Sequence, residues 1–376
     1  MVTALTPTDL REVDVTVIGG GLVGTALAYG LAARGRKVVI VDEGDVAHRA
    51  SRGNFGLVWV QGKGAGMPTY ARWTLESARL YRGFVQTLQE ETGISCGLRQ
   101  AGGVSLLLDD QQVEKERLLI EQLRHEAGNA GYDCTILDRE AIQTLLPGIG
   151  EAVVAGAFCP HDGDVDPLLV LRALHAACRR LGVRYEPNCH VDKIQRRDGS
   201  WLVNFGSRAI SAGKLVLAAG LGTASLAAPL NLVVPLRPNR GQLMVTARMP
   251  PQIPLPTDIV RQAQNGTVLI GATHENVGLD ETTDARQLRH MAVAAIRAFP
   301  ALQAAEVVRA WGALRIMTPD TYPIYEQPEG CPGLFLVCVH SGVTLAAVHA
   351  RRLAEWIDIG NLPKEMNCFT RARFDV

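Results

Sequence analysis

The sequence predicts an α/β fold in which a dinucleotide-binding domain is assembled from separated segments and carries an inserted, sheet-based domain. A complete βαβ pattern stands near the start of the chain: a β-type run at 15–18, a glycine-rich turn at 19–24, an apolar helix and a second β-type run at 38–41. Buried β-type runs return far downstream, at 214–220 and 334–339. Distant segments are therefore expected to contribute to one domain.

The glycine-rich turn has the spacing GxGxxG. Gly19 permits the tight turn, Gly21 lets backbone N–H groups approach a pyrophosphate, and Gly24 lets helix and strand pack closely. The pyrophosphate is then expected against the positive end of the helix. Asp42 ends the second run and is placed to accept hydrogen bonds from ribose hydroxyls, so the sequence predicts a dinucleotide site.

Composition places the chain among ordinary globular proteins. It has 376 residues, of which 47% are hydrophobic and 20% charged, and this length suggests two interleaved domains with a large core. Lys and Arg together number 38, as do Asp and Glu, and no basic stripe with interleaved aromatic residues is present. These features argue against nucleic-acid binding, and the expected partner is a small molecule or another protein.

The sequence shows no targeting signal in residues 1–12, and no apolar run reaches the roughly 18 residues of a membrane span. A cytoplasmic protein is expected. The eight cysteines are scattered, without CxxC pairs or histidines at metal-ligand spacing. They are expected to be reduced thiols, so an iron–sulfur cluster bound by this chain alone is not expected.

After Asp42 the chain does not continue the regular alternation of strands and helices that is typical of a nicotinamide-dependent dehydrogenase. Residues 52–66 are predicted to form a glycine-punctuated loop, and amphipathic patterns predict helices over 70–92 and 111–128. This departure counts against a nicotinamide-dependent enzyme, which also uses GxGxxG.

The alternation of strands and helices resumes in the middle of the chain. Asp166 followed by proline is an N-cap and first-turn pair that predicts a helix over 168–181, which Gly182 ends. A strand around 183–185 follows, and then two short β-type runs joined by Asp198-Gly199, a dipeptide that favours a hairpin turn.

The pattern after Pro235 is mostly antiparallel. Two β-type runs flank Asn265-Gly266, another hairpin signal, and a helix is predicted over 284–299. The buried run at 334–339 then breaks at 340–342 into a terminal helix.

Together these patterns predict a discontinuous nucleotide-binding domain, an arrangement typical of flavoproteins. Its expected segments are 1–90, 151–234 and 326–376, and the inserted substrate domain is expected at 91–150 and 235–325.

Several stretches in the right order carry a resemblance that covers nearly the whole chain. They are 15–43, 164–167, 216–222, 240–242, 271–273 and 311–345. In these stretches the chain resembles the D-amino-acid oxidase type family of FAD-dependent oxidoreductases, which includes glycine oxidase and sarcosine oxidase. Within that family, residues 51–61 (SRGNFGLVWVQ) and 340–345 (HSGVTL) resemble the β subunits of opine (octopine or nopaline) and D-hydroxyproline dehydrogenases.

The resemblance implies an FAD-binding, Rossmann-like domain of the glutathione-reductase type with an inserted antiparallel-sheet α+β substrate domain. It implies a set of cofactor-binding residues: Gly19, Gly21, Leu22, Val23, Gly24, Asp42, Glu43, Ser51, Arg52, Asn54, Phe55, Gly56, Leu57, Val191, Ala219, Gly220, Arg315, His340, Ser341, Gly342, Val343 and Thr344. The FAD is expected to be non-covalent, because the chain has no cysteine between Cys189 and Cys331 with which to tether it.

The chemistry of two of these stretches, 51–56 and 340–344, supports a role in flavin binding. The glycine-rich segment 53–56 suits close backbone approach along the flavin, and Ser51 and Asn54 offer hydrogen bonds to phosphate or ring. A surface turn is the alternative. At 340–344 a buried strand meets a helix, so N–H groups there can face the flavin N1 and O2 edge. His340 is alternatively a capped, packed histidine.

Arg315 is the candidate for substrate binding, because its guanidinium fork can hold an α-carboxylate in two parallel hydrogen bonds. Glycine oxidase-like relatives carry such an arginine in a similar stretch. The alternative is a structural salt bridge at the domain boundary. His274 and Tyr322 are secondary catalytic candidates, with Glu275 and Tyr325 beside them on the pocket wall, and each of these four is alternatively an ordinary polar surface residue.

The resemblance implies an FAD-dependent dehydrogenase that moves hydride from the Cα–H of a secondary-amine amino acid, such as an opine or D-hydroxyproline, to flavin N5, giving an imine. No residue stands out as a base. Onward electron transfer implies an α subunit and a small iron–sulfur subunit, with an FMN and a [2Fe-2S] cluster in or shared with these partners. The alternatives are a self-contained amino-acid oxidase that produces hydrogen peroxide and a flavin-binding subunit whose role is mainly assembly.

Overall fold

The computed structural model describes residues 10–44, 50–128 and 131–374. In that part of the chain the strands are β1 (Leu10–Ile18), β2 (Val38–Val41), β3 (Leu57–Val58), β4 (Gly103–Leu107), β5 (Thr135–Asp138), β6 (Ala155–Cys159), β7 (Gly163–Asp164), β8 (Arg184–Glu186), β9 (Lys193–Arg197), β10 (Ser200–Phe205), β11 (Arg208–Leu217), β12 (Arg237–Arg248), β13 (Val260–Gln262), β14 (Thr267–Gly271), β15 (Val307–Met317), β16 (Ile324–Glu326) and β17 (Leu334–Cys338). The helices are α1 (Leu22–Ala32), α2 (Pro68–Thr92), α3 (Asp110–Ala127), α4 (Arg139–Leu145), α5 (Pro167–Arg180), α6 (Thr223–Ala227), α7 (Ala285–Ala298), α8 (Gly342–Val348) and α9 (Ala354–Ile359).

One twisted sheet forms the centre of the nucleotide-binding domain. Its strand order is β16-β17-β11-β1-β2-β8, and the hairpin β9-β10 joins it beside β11. The four pairs from β17 to β8 are parallel, whereas β16 pairs with β17 in the antiparallel sense. Segments separated by some 200 residues thus lie side by side, as the two downstream buried runs predict.

Alternating side chains of this sheet enter two different cores. Val17 and Ile40 face the core formed with the helices α1, α2, α5 and α8, whereas Ile18 and Val41 face the core beneath the β9-β10 hairpin. Both faces of the parallel strands are therefore buried, which is why these strands are almost continuously apolar.

The inserted domain contains two antiparallel sheets. The larger one has the order β13-β14-β12-β15, and the smaller one has the order β4-β6-β5. Helices α4 and α7 cover them through a third core, which includes Ile142, Met244, Val260 and Ala295. The long strands β12 and β15 pair from Arg237 to Thr246, so they form the rigid floor of this domain.

Most predicted elements are present with shifted ends. Asp166 caps α5 by accepting hydrogen bonds from two backbone N–H groups, and Asp198 (φ 49°) and Gly199 (φ 82°) make the predicted hairpin turn. Strand β11 starts at Arg208, earlier than the predicted residue 214, because its first half pairs with β10. The terminal helix contains a π-helical turn at His349–Leu353, which its apolar pattern does not reveal.

The structure also bears on the expected domain segments, whose boundaries remain a proposal. Strand β6 belongs to the expected nucleotide-binding segment 151–234 but pairs with β4 and β5, and β16 spans the expected boundary at residue 325. In the described residues, no helix combines the length and apolarity that crossing a membrane requires.

Candidate active site

A cleft of two connected chambers runs between the central sheet and the inserted domain. The first chamber has a volume of about 340 Å³ and lies at the carboxyl ends of β1, β2 and β11. The second, of about 320 Å³, lies between the glycine-rich loop after residue 50 and the β12-β15 floor. Ala50 lines both, so the two chambers adjoin each other.

The GxGxxG turn is shaped by close backbone contacts at the entrance to the first chamber. Gly19 has a φ of 112°, which L side chains rarely adopt, and a Cβ there would overlap the carbonyl oxygen of Ala218. A Cβ on Gly24 would overlap the carbonyl oxygen of Gly19. Both glycines are therefore required for the turn and for the approach of α1 to the sheet.

Asp42 and Ser51 hold this turn from either side. Asp42 Oδ2 accepts a hydrogen bond from the N–H of Gly20 at 2.7 Å, and its Oδ1 accepts from Gly44 N at 3.0 Å. Ser51 Oγ accepts from the N–H of Leu22 at 3.0 Å. The acid expected to bind ribose thus lies in the first chamber and also organises the phosphate-binding turn.

Ten of the predicted cofactor-binding residues line the first chamber. They are Gly19, Gly21, Val23, Asp42, Glu43, Ser51, Arg52, Val191, Ala219 and Gly220. His190 stands beside them and pairs its Nδ1 with Glu43 Oε1 at 2.7 Å. This chamber lies at the carboxyl ends of the parallel strands, which is where α/β sheets of this kind bind the adenosine half of a dinucleotide.

Nine further predicted residues line the second chamber. They are Asn54, Phe55, Leu57, His274, Arg315, His340, Ser341, Val343 and Thr344. The structure therefore brings the candidate substrate arginine and both flavin-edge segments to one cavity, although they lie up to 290 residues apart in sequence.

Arg315 enters this chamber from β15. Its Nη1 donates to Thr273 O at 2.8 Å and to Asn239 Oδ1 at 3.1 Å, and among the described residues no carboxylate lies within ion-pair distance. Burial lowers the pKa of Arg315 to about 10, against attraction from Glu275, so it remains charged near neutral pH. A Cβ on Gly241 would come within 2.5 Å of the guanidinium, so this glycine makes room for it.

A network behind Arg315 fixes the carbonyl that it binds. Thr273 Oγ1 accepts from Gln242 N at 2.9 Å and pairs with Glu275 Oε1 at 2.5 Å. Glu275 also forms an ion pair with Arg240, at 2.8 Å. The carboxylate is thus partnered by Arg240, which leaves the Arg315 guanidinium to face the chamber.

Two histidines of the chamber are neutral near pH 7. Burial, followed by the charges of Lys63 and Arg315, lowers the pKa of His340 to about 3. Partial desolvation, followed by Arg315, lowers the pKa of His274. Ser341 Oγ lies 3.3 Å from His340 Nδ1 and accepts a hydrogen bond from the hydroxyl of Tyr70. These contacts hold His340 just after the end of β17.

Seven predicted residues do not line either chamber. They are Leu22, Gly24, Gly56, Gly342, Tyr322, Glu275 and Tyr325. The first four support the walls through their backbone. Tyr322 is different, because its hydroxyl donates to Ala65 O and its ring packs edge-on against Tyr70, so it stabilises a loop outside the chamber.

The prediction that Glu275 and Tyr325 lie on the pocket wall is wrong. Glu275 lies behind Arg315 in its ion pair with Arg240. The fully buried Tyr325 accepts a hydrogen bond from Trp73 Nε1 at 3.2 Å, so neither residue forms the pocket wall.

Sequence reasoning missed several residues of the second chamber, among them Trp59, Lys63, Gly241 and Asp258. Lys63 lies only two positions beyond the stretch 51–61 that carries the resemblance, and it is flanked by glycines. That spacing is the signal that could have identified it. Asp258 has no such signal, because it reaches the chamber from a loop before β13.

The residues present fit a flavin dinucleotide. A Cβ on Gly53 would overlap the Ala313 side chain, so this glycine keeps the glycine-rich loop close to the β15 floor. The indole Nε1 of Trp311, 3.6 Å from that Cβ position, is buried without a partner among the described residues, so it is an unused donor beside the glycine-rich loop. In the same part of the chain, no group of three or more His, Cys, Asp or Glu residues could hold a metal ion, and the eight cysteines are free.

Comparison with known proteins gives consistent matches over almost the full length. The profile of the family described as FAD dependent oxidoreductase (DAO) matches residues 14–356. An opine oxidase subunit of Agrobacterium tumefaciens (strain Ach5) is 40% identical over 367 residues, covering 97% of this chain and 98% of that protein. The corresponding opine oxidase subunit of Rhizobium meliloti is 37% identical over 366 residues, covering 97% and 99%.

Solved structures confirm the predicted fold class. Glycine oxidase from Geobacillus kaustophilus superposes with a TM-score of 0.87 at 22% identity, covering 96% of this chain and 98% of that one. L-proline dehydrogenase from P. horikoshii superposes with a TM-score of 0.84 at 21% identity, covering 97% and 98%. At this identity the likeness concerns the fold alone.

Proposed function

Because the chain belongs to the DAO family of FAD-dependent oxidoreductases, we propose that it is the β, catalytic subunit of a multi-subunit opine or D-hydroxyproline dehydrogenase. It would oxidise the CH–NH bond of a secondary-amine amino acid to an imine. The observation that carries this proposal is Arg315, a guanidinium without a carboxylate partner among the described residues, aimed into the chamber that the predicted flavin-edge segments line.

The relatives support the substrate class. Two proteins named as opine oxidase subunits match this chain over nearly their whole length, at 40% and 37% identity. Because their name designates one subunit of an enzyme, it also supports a multi-subunit assembly. Site geometry adds a carboxylate anchor, which glycine, D-hydroxyproline and opines would all use.

The chain's own residues would bind and orient the substrate. Arg315 holds the α-carboxylate with the donors that Thr273 and Asn239 leave free, and so directs the Cα–H towards one face of the chamber. When bound, FAD accepts the hydride from that carbon. Residues 19–24, with Asp42 and Ser51 behind them, would hold the pyrophosphate and ribose.

The reaction needs a neutral amine, since a protonated amine cannot release hydride from its neighbouring carbon. A cation close to the substrate lowers the pKa of a bound ammonium, and Arg315 supplies that charge. The neutral imidazoles of His274 and His340 would accept a hydrogen bond from the amine, but their lowered pKa values make them poor acceptors of its proton.

Electrons leaving the chain require a partner. We propose that an α subunit and a small iron–sulfur subunit accept these electrons, with an FMN and a [2Fe-2S] cluster in or shared with these partners. The eight free cysteines are consistent with the reducing conditions of the cytoplasm.

The test is anaerobic flavin reduction by the purified chain. Octopine, nopaline, D-hydroxyproline, sarcosine and glycine are each added, and bleaching of the oxidised flavin band is followed. Reduction by an opine or by D-hydroxyproline supports the proposal. A flavin that none of them reduces contradicts it, and rapid aerobic hydrogen peroxide production without a partner would instead establish a self-contained oxidase.

A further inference from the structure

Lys63 is a second cation in the chamber that holds Arg315, and the proposed reaction assigns it no role. It reaches the chamber from the loop between β3 and α2, where Gly62 and Gly64 have φ values of 68° and 90°. Its Nζ donates to Thr344 Oγ1 at 3.1 Å. Within the described part of the chain, no carboxylate lies within ion-pair distance of this ammonium.

Asp162, the acidic residue whose charge acts on Lys63, has other hydrogen-bond partners. Asp162 is fully buried, and its Oδ1 accepts from Val60 N at 2.5 Å while its Oδ2 accepts from Gln61 Nε2 at 2.8 Å. Burial raises the pKa of Asp162 to about 7, although Lys63 opposes that rise. Asp162 therefore fixes the loop that carries Lys63 and leaves the ammonium facing the chamber.

The other charged groups of the chamber do not neutralise Lys63 either. Asp258 Oδ1 accepts from Leu106 N at 3.1 Å and forms no ion pair with Lys63 or Arg315. The charges of Lys63 and Arg315 each lower the pKa of His340, and His274 lowers it further. Two cations from different elements thus act on one small chamber that also contains neutral imidazoles.

A structural role accounts poorly for this arrangement. Thr344 Oγ1 already accepts from Trp59 N at 3.2 Å, so a neutral side chain could replace Lys63 there. Withdrawing an unpaired ammonium from water is costly, and an anionic ligand offsets that cost. The pyrophosphate is expected in the first chamber and the α-carboxylate on Arg315, which leaves Lys63 available to a further anion.

We propose that Lys63 binds a second carboxylate, so that the preferred substrate is a secondary amine with one carboxylate on each of the two carbons attached to nitrogen. This inference rests on the proposed function and narrows its substrate class. Arg315 holds the carboxylate next to the carbon that is oxidised, and Lys63 holds the carboxylate on the other substituent.

The reaction of such a substrate balances with FAD as the oxidant and water as the only other reactant. The Cα–H bond breaks and its hydride passes to the FAD, the N–H proton leaves to a neighbouring base or water, and a C=N bond forms. Water then cleaves the imine into a primary amino acid and a 2-oxo acid. Amino acids with a single carboxylate, such as glycine, sarcosine and D-hydroxyproline, leave Lys63 without a counter-ion and are predicted to be the poorer substrates.

The experiment measures binding separately from turnover. Thiodiacetate carries two carboxylates about a thioether and cannot form an imine, and (methylthio)acetate is its matched probe with one carboxylate. The Kd of each is measured from the change in flavin spectrum of the FAD-loaded chain, for the wild type, Lys63→Met and Lys63→Arg. Lys193→Met is the control, because this lysine is exposed on β9 and outside the chamber.

Lys63→Met is expected to weaken thiodiacetate binding by about 10- to 100-fold and to leave (methylthio)acetate within about threefold, because only the first probe loses a charge-assisted hydrogen bond. Lys63→Arg is expected to restore most of the affinity. In anaerobic reduction, the same variants should change the response to octopine but not to sarcosine.

A pH profile adds a second signature. Because burial lowers the pKa of Lys63 to about 8, the wild-type affinity for thiodiacetate should fall as pH rises above that value and the ammonium loses its proton. Asp162, Asp258, His274 and His340 also face this region, but their charges change little above pH 8. Arg315, whose pKa is about 10, keeps its charge up to about pH 9, so the profile is measured between pH 7 and 9. Lys63→Met should lack the fall, and Lys63→Arg should shift it to higher pH.

Equal losses for both probes, or no loss for either, would overturn the assignment of Lys63. The proposed function fails separately, if no secondary amine reduces the wild-type flavin. If an opine reduces the wild type but the Lys63 variants do not discriminate between the probes, only the present inference is wrong.

Discussion

At the scale of single residues, the site depends on which charges already have partners. Arg240 and Glu275 form an ion pair at 2.8 Å, whereas the partners of Arg315, on the neighbouring strand, are a carbonyl and an amide oxygen among the residues that the structure describes. Oxygen atoms of neutral groups orient a guanidinium without cancelling its charge. Arg315 is thereby held in position and remains available to an anion.

Replacing Arg315 is predicted to impair substrate binding strongly. Arg315→Met should lower kcat/KM by about 10²- to 10³-fold, because a desolvated, charge-assisted pair is lost. Arg315→Lys should recover only part of this, since an ammonium cannot form the two parallel hydrogen bonds. Steady-state kinetics with an artificial electron acceptor provide the measurement.

Arg309→Met is the matched control, because Arg309 lies on the same strand and is exposed. It should leave kcat/KM within about twofold. If both variants were equally active, Arg315 would not be the carboxylate anchor.

The same scale shows why sequence reasoning found Arg315 but missed Lys63. Arg315 lies in a stretch whose neighbours resemble a known family, so its type and position were informative together. Lys63 is one lysine in a glycine-rich loop, and nothing in the sequence shows that Asp162, a hundred residues away, occupies the groups around it. The pairing state of a charge is a tertiary property, and a single sequence does not contain it.

At the scale of elements, glycines decide how closely helices approach their neighbours. In α1, a Cβ on Gly24 would overlap the backbone of the GxGxxG turn, and a Cβ on Gly30 would overlap Ala350 O in the π-helical turn. In α2, by contrast, a Cβ on Gly83 meets nothing within 4 Å. In α1, glycine is therefore required for close packing, whereas in α2 Gly83 only lowers the stability of the helix.

These helical glycines make a matched pair of substitutions. Gly24→Ala is predicted to destabilise the protein by about 1–3 kcal/mol through overpacking and to reduce the FAD retained on purification. Gly83→Ala should stabilise it by about 0.5–1 kcal/mol, because alanine loses less entropy in a helix. Thermal unfolding and the ratio of flavin to protein absorbance measure both effects.

Opposite signs for the two variants would support the assigned packing. A Gly24→Ala protein that keeps its melting temperature and its FAD would show that the turn is looser than the structure indicates.

Element types were predictable where local chemistry determines them. The Asp166 cap, the Asp198-Gly199 turn and the Asn265-Gly266 turn each act through their own backbone and their nearest neighbours. The early start of β11 at Arg208 depends on pairing with β10, and the π-helical turn depends on packing against α1. Their boundaries therefore required the tertiary structure.

At the scale of the whole molecule, one arginine joins the inserted domain to the cofactor loop. Arg261, on β13, is buried and forms an ion pair with Asp164 of β7 at 3.2 Å, while its Nε donates to the carbonyl of Phe55. Asp164 is also bound by Arg99. The substrate domain and the glycine-rich loop are thus fixed to each other.

Removing this link is predicted to loosen both parts together. Arg261→Met should destabilise the protein by about 2–4 kcal/mol, because a buried pair is broken although Asp164 keeps Arg99. It should also speed FAD dissociation, since the Phe55 carbonyl loses its donor. Arg248→Met, an exposed arginine on β12 of the same sheet, is the control.

Thermal unfolding and the rate of flavin fluorescence recovery after dilution are the measurements. If Arg261→Met lowered the melting temperature but left FAD release unchanged, the two parts would be independent.

The strand order of the central sheet has a further consequence for how the protein is made. β1 is synthesised early, but its neighbour β11 ends at Leu217, and β17 ends at Cys338. During translation, the early βαβ unit is therefore formed before β11 and β17 are synthesised. Until then it exposes apolar strand edges that chaperones can recognise. In the proposed site, the second chamber is lined by His340, Ser341, Val343 and Thr344, so we expect cofactor loading only after these residues have left the ribosome, and a chain truncated before residue 340 should not retain FAD.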